Sequence, residues 1–447
     1  MGSESFRSER DSMGEVRVPA DALYGAQTQR AVENFALGPH RFQPPLIKAL
    51  GLVKACAARA NADLGVLPQE LAAAIEQAAD DIAGGSHDDQ FVVNVFQTGS
   101  GTSTNMNANE VIARLANAHP NDHVNRSQSS NDVIPSVIHI AAAVEVLREL
   151  LPALELLAAA LENRAAAFWD VMKIGRTHLQ DATPMRLGQE FSAYVHQVRS
   201  CAERLTLALD GIYELPLGGT AVGTGVNAPP GFAERTIALI AERTGLPFRE
   251  ASNHFEAQAA KDAVCFLSGA LKTCAVALTK IANDIRWLGS GPRGGLAEIR
   301  LPELQPGSSI MPGKVNPVIP ESLLMICAQV IGHDAAITWG CAAGNFELNV
   351  MMPVIAYDLL DSIELLTAGV RNFTLRCVNG IEANREKTGA LVEHSLAMAT
   401  ALTPEIGYDR AAAIAKEAYE SGRTVREVAI EKSGLSAQKI AELLHFD

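Results

Sequence analysis

Positive charge is in short supply in this chain of 447 residues: 37 Lys and Arg stand against 51 Asp and Glu, a formal net charge of −14. Nucleic acids and anionic membrane surfaces are held by clustered Lys and Arg, so neither is expected as a partner. The same deficit leaves no global field to draw in an acidic ligand, and a dianion has to be held by local donors in a cleft. Paired cysteines are missing too. The seven, at positions 56, 201, 265, 274, 327, 341 and 377, form no CxxC. Single thiols in a reducing compartment are expected, with no zinc or iron–sulfur site. No stretch of about 18 apolar residues runs without Glu, Lys or Arg. The opening MGSESFRSERDSMGEV has no apolar segment of the signal-peptide kind. A soluble, cytoplasmic protein is expected, its first few residues disordered or left over from expression. Neither a GxGxxG between strand and helix nor a GxxxxGK[ST] occurs, which removes the usual nucleotide-binding signatures. Repeats and low-complexity linkers are absent as well.

What is present is alanine in long runs, which favours helix over strand. The fold class expected is all-α. Three zones follow in order: residues 1–128, short helices (45–64 and 68–84) mixed with polar loops; residues 129–385, long helices; and residues 386–447, short helices with turns near Gly407, Gly422 and Gly434. In the middle zone Ser129, Ser130, Asn131 and Asp132 supply N-cap chemistry and Pro135 suits a first helical turn. A helix is predicted from there to residue 170, kinked at Pro152. Others are predicted at 187–211, 256–289, 317–340 and 355–380. Residues 257–288 are apolar around most of the circumference, so that helix has to be buried on nearly every side. Five such helices make a bundle, and their surplus apolar surface points to packing between chains.

Four polar segments interrupt this background. Residues 97–110 (QTGSGTSTNMNANE) combine Gly, hydroxyl and amide groups ahead of a helix predicted to start near Asn107, an arrangement suited to a carboxylate or to nothing more than a capped turn. Residues 119–132 hold His119, Pro120, Asn121, Asp122 and His123, then the Ser129–Asp132 cluster; with no third ligand at metal spacing, the two histidines are not assigned to a metal. Residues 175–184 (GRTHLQDATP) place His178 beside Thr177 between two long helices; it is either a general acid or base, or a structural loop histidine. Residues 307–317 (GSSIMPGKVNP) read as a mobile loop in which an extended backbone sets Lys314 and Asn316 on one side.

GSSIMPGKVNP resembles the signature of the fumarase–aspartase superfamily, and the likeness runs from Arg10-Asp11-Ser12-Met13-Gly14 to Ile406-Gly407-Tyr408. Within it the chain looks most like class II fumarase. His178 in GRTHLQDATP stands where aspartase-like sequences have Gln, and His119 in HPNDHVN where they tend to have Asn. MPGKVNP, GGTAVGTG at 218–225 and GNFELNV at 344–350 are also fumarase-like. One departure is Val318-Ile319-Pro320-Glu321, closer to the aspartase pattern. Another is that the chain stops short of the family's usual C-terminal tail.

The resemblance implies three domains and a central five-helix bundle. It also implies a homotetramer with a 20-helix core and active sites shared by three chains. It implies reversible hydration of fumarate to L-malate in the tricarboxylic acid cycle by a hydro-lyase that needs no cofactor or metal. Ser308 is then the base, acting as an alkoxide and removing the C3 proton through an aci-carboxylate intermediate. Lys314 and Asn316 stabilise charge, and His178 is the general acid, with Glu321 tuning it. Ser100, Gly101, Thr102, Ser129, Ser130, Asn131, Thr177, Ser309, Lys314, Val315 and Asn316 carry over as substrate-binding positions, and His119, Pro120, Asn121 and Asp122 as a second dicarboxylate site. Two alternatives stay open: aspartate ammonia-lyase on the same scaffold, and a non-catalytic dicarboxylate-binding or structural relative.

Overall fold

The computed structural model describes residues 5–445. The expectation of disorder at the very start falls largely on residues outside that span. The first described residues pair as a hairpin of β1 (Phe6–Asp11) and β2 (Gly14–Pro19). The chain then becomes helical. It runs through α1 (Ala26–Asn34), α2 (Pro44–Asp63), α3 (Gln69–Ala83), α4 (Thr102–Leu115), α5 (Ser130–Glu145) and α6 (Leu151–Ala167). A second hairpin, β3 (Met172–Thr177) and β4 (Gln180–Arg186), leads into α7 (Leu187–Ile212). There follow α8 (Phe232–Thr244), α9 (His254–Ala259), α10 (Asp262–Leu288), α11 (Val318–Ala342) and α12 (Met352–Arg376). The short helices α13 (Arg385–His394), α14 (Thr403–Ile406), α15 (Tyr408–Ser421), α16 (Val425–Lys432) and α17 (Ala437–Leu443) end the chain.

The all-α expectation holds, and the long helices lie close to where periodicity places them. Three local predictions are corrected. Pro135 sits inside α5, one turn beyond the start, because Ser129 is the N-cap and closes a capping box with Asp132. The 129–170 helix is divided by a π-turn at Val146–Leu150 just before Pro152, a widened turn that makes room for a ring with no N–H to give. The 256–289 helix is broken at Ala260, whose backbone is extended. There the Lys261 ammonium turns back onto the carbonyls of Ala257, Gln258 and Ala260 and satisfies the end of α9.

The fold separates into two compact units, each assembled from three stretches of chain. The first comprises residues 1–152, 201–275 and 327–367. Its core forms where α2 packs on α3, α5 and α8, around Leu46, Leu50, Val53, Ile75, Ile82 and Val137. The second comprises residues 153–200, 276–326 and 368–447. In it β3 packs on α13, and the C-terminal helices close over Met398, Leu402, Ile414, Val425, Val428 and Ile440. By length and composition α10 and α11 are apolar enough to cross a membrane. They nevertheless leave large side chains uncovered, Phe266 at 58% and Trp339 at 75% exposure among them.

Candidate functional site

In the first unit the site is built around the starts of α4 and α5. Gly101, in the left-handed region at φ 72°, reverses the chain so that α4 begins at Thr102 and not near Asn107. Ser100 Oγ and Thr102 Oγ1 are 2.8 Å apart beside that N-terminus. The approach of the preceding loop depends on Gly99: a Cβ there would lie 1.9 Å from the Val350 carbonyl oxygen. At the other helix, Ser129 Oγ accepts the Asn131 N–H at 3.2 Å, and Ser130 Oγ bonds Asn105 Nδ2 of α4 at 3.0 Å. Asn131 Nδ2 donates to the Ala221 carbonyl at 2.9 Å. Ser100, Gly101, Thr102, Ser129, Ser130 and Asn131 thus share one region, at two helix N-termini whose N–H groups favour an anion.

Asp132 holds this region together. Its carboxylate accepts the Ser129 N–H on one oxygen and the Gly218 and Thr220 N–H groups on the other, all at 2.9 Å. Burial nevertheless raises its pKa to about 6. The GGTAVGTG segment is thereby pinned against Ser129–Asn131. A cavity of about 330 Å³ lies here, lined by Asn121, Asn125, Arg126, Gln128, Ser129, Thr220 and Asn227 among others, with no carboxylate in its wall.

The residues expected to form a second dicarboxylate site fall on or beside a π-turn, Pro120–Val124. His119 Nδ1 accepts the Asp122 N–H, and His123 Nδ1 accepts the His119 N–H, each at 3.0 Å. Both imidazoles thus spend one nitrogen on their own loop. His119, Pro120 and Asn121 line a larger cavity of about 670 Å³ together with Arg7, Arg10 and Arg114, while Asp122 does not line it.

In the second unit, His178 lies at the tip of the β3–β4 hairpin and not in an irregular loop. His178 and Leu179 both have positive φ, 56° and 59°. This is the twist a two-residue hairpin turn demands and non-glycine residues resist. The tip is exposed, and among the described residues no side-chain hydrogen bond holds the imidazole. The β3 strand behind it is fixed instead. Arg176 makes a two-pronged pair with Glu298, at 2.9 and 3.0 Å. Buried Lys173 reaches Glu190 at 3.0 Å and Glu298 at 3.7 Å.

The loop of residues 307–316 is irregular, closed at its base by Gly307 N–H donating to the Lys314 carbonyl at 2.7 Å. Asn316 Nδ2 donates to the Gly307 carbonyl at 2.8 Å. One Asn316 N–H is thereby committed to the loop itself. Ser308 Oγ accepts the N–H groups of Ile310 at 3.2 Å and Met311 at 3.0 Å. Ser309, Lys314 and Val315 are exposed, and Glu321 stands in the first turn of α11. Among the described residues no bond joins Glu321 to His178.

Periodicity and motif did not single out Lys54, Asp132 as a clamp, or the Arg176–Glu298 anchor. Asp132 had a signal as the N3 acid of a capping box, whereas Lys54 is one of three cations on α2, with Lys48 and Arg59, and nothing in the sequence sets it apart. Glu298, 122 residues from Arg176, had no signal either.

The family model described as Lyase matches residues 14–332, and that described as Fumarase C C-terminus matches residues 398–447. The chain is 53% identical over 445 residues to the class II fumarate hydratase of Thermosynechococcus vestitus, covering 97% of this chain and 95% of that one. It is 51% identical to the mitochondrial fumarate hydratase 1 of Arabidopsis thaliana, covering 99% and 92%. A recombinant class II fumarase from Schistosoma mansoni superposes with a TM-score of 0.96 at 40% identity, covering 99% and 98% of the two chains.

Proposed function

The chain belongs to the class II fumarate hydratase family of lyases, and from that premise we propose how its residues carry the reaction. The activity is hydration of fumarate; the product is L-malate, and we place the reaction in the tricarboxylic acid cycle. In the dehydration direction the C3 proton of malate passes to Ser308 Oγ as an alkoxide. The electron pair left behind enters the neighbouring carboxylate and forms an aci-carboxylate. The C2–O bond then breaks, its oxygen leaving as water with a proton supplied from His178, through a bridging water. Glu321 tunes the imidazole. Lys314 and the free N–H of Asn316 face the developing charge, where one preorganised donor is worth about 3 kcal/mol.

The observation that carries the serine assignment is the pair of N–H groups, from Ile310 and Met311, aimed at Ser308 Oγ. Donors pointed at an oxygen favour its ionised form, the same arrangement that stabilises an oxyanion. Substrate carboxylates are assigned to Ser100, Gly101, Thr102, Ser129, Ser130 and Asn131, with Thr177, Ser309 and Val315 completing the binding set. His119, Pro120, Asn121 and Asp122 are assigned to a second dicarboxylate site. The three-zone division at residues 128 and 385, a cytoplasmic location and a homotetramer with sites shared by three chains belong to the same proposal. The apolar side chains left uncovered on α10 and α11 support the tetramer. Full-length identity to class II fumarases favours hydration over the aspartate ammonia-lyase and non-catalytic alternatives.

The test is the ultraviolet absorbance of fumarate formed from L-malate. Ser308→Ala is expected to lower kcat by at least about a thousandfold with little change in KM. Near-normal turnover in that variant removes Ser308 as the base.

A further inference from the structure

Lys54 is fully buried on α2, and the scheme above gives it no part in the chemistry. Its ammonium donates to Asn125 Oδ1 at 3.0 Å and to Gln128 Oε1 at 2.9 Å. Both acceptors lie on the turn that runs into Ser129, Ser130 and Asn131. Asn125 Oδ1 also accepts from Asn105 Nδ2 at 3.2 Å and Asn109 Nδ2 at 3.1 Å, and Asn105 Nδ2 continues to Ser130 Oγ at 3.0 Å.

An ammonium only donates, and this settles which way each amide faces. Asn125 and Gln128 turn their oxygens to Lys54, which leaves their NH₂ groups for the turn's own backbone. Asn125 Nδ2 donates to the Gln128 carbonyl at 3.3 Å, and Gln128 Nε2 to those of Val124 at 3.1 Å and Arg126 at 3.0 Å. One cation thus sets the shape of the turn by fixing two amides.

A buried ammonium is an expensive way to fill space that an apolar chain of equal length would occupy. Burial pushes Lys54 down to about 7, with Asp132 the charge that opposes the shift. That cost makes sense where the turn's geometry matters.

We propose that Lys54 is a positioning residue for substrate binding, holding residues 125–131 in the shape that presents Ser129, Ser130 and Asn131 to a substrate carboxylate. This rests on the assignment of those three residues to the substrate. Lys54 acts through Asn125 and Gln128 and does not touch the reacting atoms.

Steady-state kinetics with fumarate, alongside thermal unfolding, test it in four variants. Lys54→Met keeps the volume and removes both bonds; it is expected to raise KM about tenfold with kcat within about threefold. Asn125→Ala cuts the same chain from the turn's side and is expected to raise KM likewise, which keeps the inference open to test should the lysine variant fail to fold. Ile75→Ala, a core truncation in α3, is expected to lower the melting temperature and leave KM alone. Ser130→Ala tests the underlying assignment and is expected to raise KM. Wild-type KM in both Lys54→Met and Asn125→Ala, with a raised KM in Ser130→Ala, overturns the role of Lys54 and spares the site. Wild-type KM in Ser130→Ala overturns both. An equal KM rise in Ile75→Ala reduces the lysine effect to lost stability and overturns the inference.

Discussion

His139 shows how one buried side chain links the fold to pH. It lies on α5 with Nδ1 2.8 Å from the Glu214 carbonyl, and burial pushes its pKa from 6.5 down to about 4. The folded protein holds it neutral, whereas the unfolded chain takes up a proton near 6.5. Its contribution to stability is therefore complete above that value and is lost as the pH falls through the window down to about 4. Denaturant unfolding at pH 7.5 and at pH 5 is expected to show the wild type losing on the order of 2 kcal/mol more than His139→Gln over that interval. Equal losses would remove the histidine as an acid sensor. At this scale the sequence was partly legible. His178, Ser308 and Lys314 stand out because polar residues in an Ala-Leu background are conspicuous. Lys54 and Glu298 do not stand out, since only neighbours far along the chain make a buried charge tolerable.

At the scale of elements, the long helices could be read because their apolar residues repeat with the helical period and need no partner to be recognised. Boundaries were harder. The start of α4 is set by Gly101, and the break between α9 and α10 by the Lys261 side chain capping three carbonyls; neither alters the apolar pattern. The β3–β4 hairpin was missed because a tight turn of His178 and Leu179, both at positive φ, lacks the Asn-Gly signal that marks such turns. The loop ahead of α4 is equally a matter of contact. Gly99→Ala is expected to destabilise by about 1–3 kcal/mol, because its methyl meets the Val350 carbonyl. Activity should fall further than stability, since Ser100 and Thr102 move with the loop. An unchanged melting temperature would show that the loop has room the structure does not display.

For the whole molecule, the decisive surface is the uncovered apolar face of α10 and α11, with Phe266, Trp287, Met325 and Trp339 exposed. A face of that kind on a single chain signals burial against another. Sedimentation is expected to give four times the 47.5 kDa chain mass. Trp339→Glu should dissociate the assembly and abolish turnover in the same concentration range, as it must if the sites are shared between chains. A fully active monomer would remove both the tetramer and the shared site.

Composition and periodicity alone determined that this protein is of the all-α class and where its long helices run, and they marked four polar segments as the candidates for its chemistry. These are local properties, written in residue type and spacing. Tertiary structure alone decided the rest: that Asp132 clamps the GGTAVGTG stretch to Ser129, that Lys54 bonds Asn125 and Gln128 in the turn ahead of it, and that His178 is presented on a braced hairpin. Each depends on a donor meeting an acceptor dozens of residues away, and no local pattern records which of the available partners a buried group finds.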